Sequence, residues 1–183
     1  TVGTGVGGGY VVDGVLQGTN RPASLELGHL RPGLDSRTPY ETVESLSSGR
    51  GIETRMQQIL QEREDDPELL ELKLHLMGGD DRLTAKQICL AAAEGNPVAV
   101  EIMKTGCQAL GWAIAQSITL LAPECVVIGG GVSLAGDKLF YDPVRKFIEM
   151  YVFPRLLGSY RIEPAALGEE VVLHGALQIA AHA

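Results

Sequence analysis

The chain has 183 residues, 45% of them hydrophobic, and its 15 lysine and arginine residues against 23 aspartate and glutamate residues give a net charge of −8. These values are typical of one globular domain with its own core and exclude a disordered or fibrous chain. Because the basic residues form no cluster and no stretch could span a bilayer, we expect no nucleic acid partner for this segment and no membrane partner.

The amino-terminal part combines glycine-rich, extended and helical segments. Residues 2–9 are rich in glycine, and Asp13-Gly14 between short β-prone runs predicts a β-hairpin. Residues 42–48 have a helical pattern, which Gly49 to Gly51 is expected to end. The charged, amphipathic segment 52–77 then predicts two further helices.

Helices and strands alternate in the rest of the chain. Thr84 is in position to cap a helix that stops at Gly95, and Asn96-Pro97 begins the longest helix, which runs to about residue 121. The apolar run 125–128 predicts a strand buried on both faces. A helix over 142–151, a strand over 161–165 and a helix over 169–181 follow. This alternation predicts an α/β fold.

The three cysteines, Cys89, Cys107 and Cys125, lie far apart among apolar neighbours. An odd number without a CxxC pair argues against a disulfide framework or a metal cluster. We therefore expect small buried hydrophobic side chains in a reducing compartment. With no signal peptide in the sequence, this predicts a cytoplasmic protein.

The first glycine cluster spans residues 3–9, GTGVGGG, and contains the pattern GxGxxG. A dinucleotide-binding fingerprint follows a strand and opens a helix, whereas these glycines lead into the predicted hairpin. Their backbone N–H groups and the Thr4 hydroxyl can still cradle an anion. A flexible turn explains the spacing equally well.

The second glycine cluster, GGGVS at residues 129–133, follows the carboxyl end of the predicted buried strand. Open α/β sheets bind ligands at that end, although a tight turn would also need such residues. Two clusters in one small domain favour a nucleotide, with phosphates at one cluster and adenosine at the other.

The third motif, Glu26-Leu27-Gly28-His29, places a carboxylate and an imidazole on either side of a glycine. Together these groups can accept and donate hydrogen bonds to adjacent hydroxyls of a sugar. Read alone, the pair is more typical of solvated surface groups.

In the order GTGVGGG, ELGH and VVIGGGVS, the three motifs resemble the ROK family, and the resemblance covers the whole chain. It implies the ribonuclease-H-like fold of actin-like ATPases, a mixed sheet flanked by helices, with residues 1–183 as the C-terminal lobe of a two-lobed, glucokinase-like kinase. It also implies ATP and a hexose or amino-hexose as substrates, with Mg²⁺ carried on the nucleotide phosphates. A homodimer formed through this lobe is a further possibility that the resemblance implies.

The same resemblance implies a role for individual residues in both glycine clusters and in the polar motif. It implies ATP contacts at Thr4, Gly5, Gly7, Gly8, Gly130, Gly131 and Val132. It implies sugar contacts at Glu26, His29 and Glu44.

Three departures from the family pattern limit what the resemblance implies. Many ROK proteins carry a cysteine-rich zinc module after the ExGH motif, but residues 30–44 contain no cysteine, so we expect no structural zinc. Leu25 stands where the family usually has glycine, and its bulkier side chain is expected to alter the sugar pocket and with it the sugar that is preferred. The family's catalytic aspartate and first phosphate loop precede GTGVGGG, so the catalytic residue is unknown in this chain and the chain is expected to be a fragment.

Two alternatives to a kinase fit the same resemblance. In a ROK transcriptional regulator these lobes would sense a sugar and a separate amino-terminal helix-turn-helix would bind DNA. A sugar-binding relative without kinase activity would fit two of the departures, the missing zinc module and the presence of Leu25. The two glycine clusters favour the kinase, because a sensor has less need of an ATP site.

Overall fold

The structure is a computed structural model that describes residues 1–18, 21, 24–63, 66, 67, 69, 72 and 83–181. Strands β1 (Val11–Val12) and β2 (Val15–Leu16) pair antiparallel, with Val12 opposite Val15. Both turn residues, Asp13 and Gly14, have positive φ values of 50° and 79°. Two-residue hairpin turns require this backbone conformation, so the hairpin prediction is confirmed.

Helices α1 (Val43–Ser47) and α2 (Gly49–Glu62) follow each other with a single residue between them. That residue, Ser48, caps α2 by accepting a hydrogen bond from the backbone N–H of Gly51. The helix predicted over 42–48 therefore ends as expected, but Gly49 to Gly51 form no break, because the serine cap lets them form the first turn of α2. A Cβ on Gly51 would lie 2.4 Å from the carbonyl oxygen of Ser45. The second helix predicted within 52–77 lies largely outside the described residues.

Helices α3 (Ala85–Ala93) and α4 (Pro97–Leu121) begin where the sequence predicted. Thr84 and Gln87 form a reciprocal capping box at the start of α3. The Asn96 side chain accepts a hydrogen bond from the N–H of Ala99, with Pro97 in the first turn of α4. These local interactions satisfy N–H groups that a helix cannot bond internally.

Strand β3 (Cys125–Ile128) pairs in parallel with β4 (Arg161–Pro164), and helix α5 (Asp142–Tyr151) lies between them in the chain. Ile128 is buried, but Val127 is 59% exposed, so the prediction of a strand buried on both faces is wrong. Neighbouring strand residues point to opposite faces, and only one face of β3 packs on the core. Helix α6 (Val171–Ala181) ends the described chain.

The core surrounds α4, which packs against α1, α3 and α5. Two glycines of α4 allow close approach: a Cβ on Gly106 would lie 2.8 Å from the Leu46 carbonyl oxygen, and one on Gly111 would lie 2.6 Å from Cβ of Phe147. The Ser47 hydroxyl adds a buried hydrogen bond to the Gly106 carbonyl. This packing fixes α1, and therefore its first-turn side chains, relative to the core.

The expectation of buried cysteines holds for Cys107, which lies beside α5 and the segment before it, whereas Cys89 and Cys125 are only half-buried. Burial, with a smaller contribution from nearby Cys89, raises the pKa of the Cys107 thiol to about 12. An uncharged, buried thiol behaves as a small hydrophobic side chain. None of the described helices combines the length and apolar character that crossing a bilayer requires.

Candidate functional site

The two glycine clusters meet at one junction. The N–H of Val2 donates to the Gly129 carbonyl at 2.7 Å, and the N–H of Val132 donates to the Val2 carbonyl at 3.1 Å. Gly130 lies between these bonds with φ of 105°, and a Cβ there would be 2.6 Å from the carbonyl oxygen of Val2. Glycine is therefore required at position 130 by both conformation and space.

The first glycine cluster forms a closed loop. Val2 and Val6 pair as an antiparallel bridge, and both side chains are buried in the core. No described residue accepts a hydrogen bond from the backbone N–H of Thr4 or Gly5, which lie at the tip of the loop. An anchored tip with unused N–H donors is typical of an anion-binding loop and favours that interpretation over a flexible turn.

Glu44 binds this loop directly. Its Oε2 accepts a hydrogen bond from the Val6 N–H at 2.7 Å, and a Cβ on Gly5 would lie 2.6 Å from the same oxygen. The capping box of Thr42 and Ser45 starts α1, and Glu44 lies in the first turn of that helix. The sequence suggested a sugar contact for Glu44 but gave no sign of this bracing role, because the bond joins residues 38 positions apart.

The ELGH motif lies against the same loop. Its last three residues form a 3₁₀ turn in which Gly28 is buried, and a Cβ there would be 2.2 Å from the Val6 carbonyl oxygen. The Nε2 of His29 lies 3.9 Å from Oε2 of Glu26, and both side chains are largely open to solvent. Leu25 has a φ of 56°, a left-handed conformation that costs a leucine energy and a glycine almost none.

Two adjoining cavities share Gly3, Thr4 and Gly131. The smaller, of about 500 Å³, is bounded mainly by the first loop, Glu44 and Gly130. The larger, of about 820 Å³, extends from Val132 to the start of α2 and along α3 as far as Ala93. Both volumes are in the usual range for small-molecule sites. The sequence did not reveal the wall formed by α2 and α3, which no motif marks.

Six of the seven candidate ATP residues line one or both of these cavities. Thr4, Gly5, Gly7, Gly130 and Gly131 line the smaller one. Val132 lines the larger one, together with Thr4 and Gly131. Gly8 lines neither.

Gly8 instead packs on the ELGH segment. A Cβ on Gly8 would lie 2.5 Å from the Leu27 side chain and 2.9 Å from the Leu25 carbonyl oxygen. Glu26 and His29 line neither of the two cavities. The structure thus brings the ELGH turn, through Gly8 and Gly28, against the loop that carries the candidate phosphate contacts.

Within the described ranges, no three or more His, Cys, Asp and Glu side chains are grouped to hold a metal ion. We further expect purified protein to contain less than about 0.1 zinc per chain, since structural zinc needs four nitrogen or sulfur ligands. Elemental analysis by mass spectrometry, with a known zinc protein as standard, checks this, and one zinc per chain would contradict it.

Comparison with known proteins identifies the family. The ROK family description matches residues 1–183. The chain belongs to the ROK family. A glucokinase from Halalkalibacterium halodurans is 33% identical over 181 residues, which cover 96% of this chain and 53% of that protein. The ROK chain described here spans about half the length of the relatives it matches.

Two solved ROK structures resemble the whole arrangement. A glucokinase from Streptomyces griseus, crystallised with glucose and AMPPNP, superposes with a TM-score of 0.80 at 28% identity, covering 100% of this chain and 59% of that one. A ROK family transcriptional regulator, described as a homologue of the E. coli MLC protein, has a TM-score of 0.71 at 25% identity, covering 89% and 40%. The predicted α/β, actin-like ATPase fold is confirmed.

Proposed function

We propose that the protein containing this chain is an ATP-dependent kinase that phosphorylates a hydroxyl of a hexose or amino-hexose. In this proposal residues 1–183 are its C-terminal lobe. The observation that supports it most is the junction of the two glycine clusters. Two adjoining cavities meet there, and both are lined by the first glycine loop, whose tip has unused N–H donors. A nucleotide needs this combination of a phosphate loop and a neighbouring pocket for adenosine.

The phosphates would lie on the first glycine loop. Its N–H groups at Thr4 and Gly5 and the Thr4 hydroxyl supply donors at fixed positions, because Val2, Val6 and Glu44 anchor the loop. Phosphoryl transfer depends mainly on positioning and on stabilising charge, so fixed donors contribute directly to the rate. Mg²⁺ bound to the phosphates would neutralise part of their charge.

The sugar would bind at the ELGH turn, where Glu26 can accept hydrogen bonds from hydroxyls and His29 can donate to or accept from them. Contact of Gly28 with Val6 sets the turn beside the phosphate loop. The turn would hold the attacking hydroxyl close to the γ-phosphate, where proximity alone lowers the barrier. The base that removes the hydroxyl proton would come from outside residues 1–183.

A kinase assay tests the proposal. Full-length protein, incubated with ATP, Mg²⁺ and a panel of hexoses and amino-hexoses, is expected to release ADP in a coupled assay only when a sugar is added. ADP release that does not depend on any sugar, or no release with any of them, would contradict the kinase.

The likeness to a ROK family transcriptional regulator favours one second candidate, a sugar sensor. Sugar binding without ADP release, together with DNA binding by the full-length protein, would support the sensor. The residues of this chain would then position a sugar without transferring phosphate to it.

His29→Ala in the full-length protein is expected to raise the KM for the sugar at least about tenfold and the KM for ATP less than twofold. The imidazole would contribute roughly 1–3 kcal/mol of hydrogen bonding to the sugar and none to the nucleotide. Because His29 is 64% exposed, the variant should fold normally. The matched control is His174→Ala, also an exposed histidine beside a glutamate, on α6. Unchanged KM for the sugar in His29→Ala would exclude His29 from the site.

A further inference from the structure

A third cavity, of about 680 Å³, lies between the hairpin and β3, outside the candidate site. Residues 6–13 line it on one side and residues 121–128 on the other. Three side chains of the long helix α4 also line it: Leu110, Ile114 and Ser117. A groove between two strands, with a helix beneath it, has the shape of a site for one more strand, because unpaired strand edges are templates for strand addition.

The segment that leads into β1 has one open edge. The Thr1 nitrogen donates to the Gly7 carbonyl at 2.7 Å, and the Gly7 N–H donates to the Thr1 carbonyl at 3.1 Å, as in an antiparallel ladder. On the opposite edge, the Gln17 N–H donates to the Tyr10 carbonyl. Successive residues of a strand direct their backbone groups to alternate edges, so Gly9 faces the cavity as Gly7 faces Thr1. No described residue accepts a hydrogen bond from the Gly9 N–H.

Strand β3 also has one open edge. Its partner β4 bonds to alternate residues: the Arg161 N–H donates to the Glu124 carbonyl at 3.0 Å, and the Ala165 N–H donates to the Ile128 carbonyl at 2.8 Å. In a parallel ladder the residues between these direct their backbone groups to the other side. Val127 therefore directs its N–H and its carbonyl toward the cavity and the hairpin.

Val2 already lies between the two open edges. It forms an antiparallel bridge with Val6, and its N–H donates to the Gly129 carbonyl at 2.7 Å. Residues immediately before Thr1 would continue both ladders into the cavity. The open stretch alongside β3 and residues 8–12 has room for about five residues, or roughly 17 Å of strand at about 3.4 Å per residue.

We propose that about five residues preceding Thr1 in the full-length protein form a central strand that fills this cavity, parallel to β3 and antiparallel to β1. The occupant is a segment of the same protein, because Thr1 itself lines the cavity and the residue before it must enter there. The chain spans about half the length of its relatives, which leaves room for such a segment. The inference does not depend on the proposed kinase activity. The strand would hold Val2, and with it one end of the first glycine loop, in the middle of the sheet.

The two ladders determine the register of the proposed strand. The first and third residues before Thr1 would point to the same face as Val2, which is buried in the core, and the second would point to the opposite face. The third would lie opposite Tyr10, in a pair without mutual hydrogen bonds whose Cα atoms are about 4.5 Å apart. We expect the first and third residues to be apolar, and we expect no proline among these positions, because a central strand needs its N–H groups.

An engineered disulfide in the full-length protein tests this register. Tyr10→Cys, combined with cysteine at the third residue before Thr1, is expected to lose both new thiols under mild oxidation, since about 4.5 Å is within the Cα separations that disulfides allow. The matched control combines Tyr10→Cys with cysteine at the second residue before Thr1, whose side chain would point to the opposite face. Thiol counting and mass mapping of the bridged peptides measure the outcome. Melting temperatures of the reduced variants show whether they fold.

A bridge within one molecule in the first variant, and none in the control, would support the strand. Equal bridging in both variants, or bridging in neither, would overturn it. A bridge formed only between two molecules would also overturn it, because a second copy would then supply the strand.

Hydrogen exchange of the full-length protein gives a measurement that needs no substitution. The amides of Gly9 and Val127 are expected to exchange at least about a hundredfold more slowly than that of Leu16 on the outer edge of β2, because the strand would bond them. Equal rates at the three amides would contradict the proposal.

Discussion

Gly130→Ala in the full-length protein is expected to lower kcat/KM for ATP at least about a hundredfold. Gly130 has φ of 105° and ψ of 165°, a region open almost only to glycine, where other residues cost about 1–3 kcal/mol. The added Cβ would also lie within 2.9 Å of three backbone atoms of Val2, so Val2 must move. Val2 anchors the phosphate loop, and a misplacement of about 1 Å can cost roughly a hundredfold in rate.

The matched control for this substitution is Gly136→Ala. Gly136 has φ of 83° and ψ of −176°, a similar glycine-favouring conformation, but a Cβ there has no described atom within 4 Å. The control thus carries backbone strain without the collision with Val2. Steady-state kinetics and thermal melting of both variants separate the two effects. Equal kcat/KM for ATP in the two variants would show that the junction with Val2 does not matter to the nucleotide.

Glu44→Ala is expected to lower both thermal stability and catalysis, whereas Glu44→Gln should lower catalysis alone. Removing the carboxylate leaves the partly buried Val6 N–H without an acceptor, which costs about 1–3 kcal/mol of unfolding free energy. Glutamine keeps an acceptor oxygen for Val6 but loses the negative charge. If the carboxylate also contacts the sugar, the KM for the sugar should rise about tenfold in Glu44→Gln, with little change in the KM for ATP.

Glu41→Gln is the matched control for Glu44. Its carboxylate also accepts a backbone N–H, that of Arg37, at 2.7 Å, but it lies exposed and lines neither cavity. Melting curves and the two KM values decide the outcome. Equal stability of Glu44→Ala and wild type would rule out the bracing role. An unchanged KM for the sugar in Glu44→Gln would leave Glu44 as a support of the loop only.

Local interactions account for the part of the fold that could be predicted from the sequence. Thr84 and Asn96 each cap a helix through a hydrogen bond to a residue three positions further along the chain. The Asp13-Gly14 turn joins two strands that are adjacent in the chain. The same local reasoning failed at Gly49, because the Ser48 cap outweighed the low helix propensity of glycine. It also failed at Val127, where an apolar pattern predicts burial but tertiary packing decides which face is covered.

The motifs of the candidate site could be predicted from the sequence, but the spatial arrangement of their residues could not. The order of GTGVGGG, ELGH and GGGVS in the chain points to the family and to the candidate residues. The hydrogen bonds that join Val2 to Gly129, Val6 to Glu44 and Gly49 to Gly3 span long stretches of chain, and no local pattern encodes them. The cavity wall formed by α2 and α3 carries no motif and became visible only in the fold.

A crystal structure of the full-length protein with glucose and a non-hydrolysable ATP analogue tests the central claim most directly. We expect the phosphates within hydrogen-bonding distance of the N–H groups of Thr4 and Gly5, and adenosine in the cavity that Val132 lines. We expect the sugar hydroxyls on Glu26 and His29. A nucleotide bound away from both glycine clusters, or a sugar bound without contact to Glu26 or His29, would contradict the account.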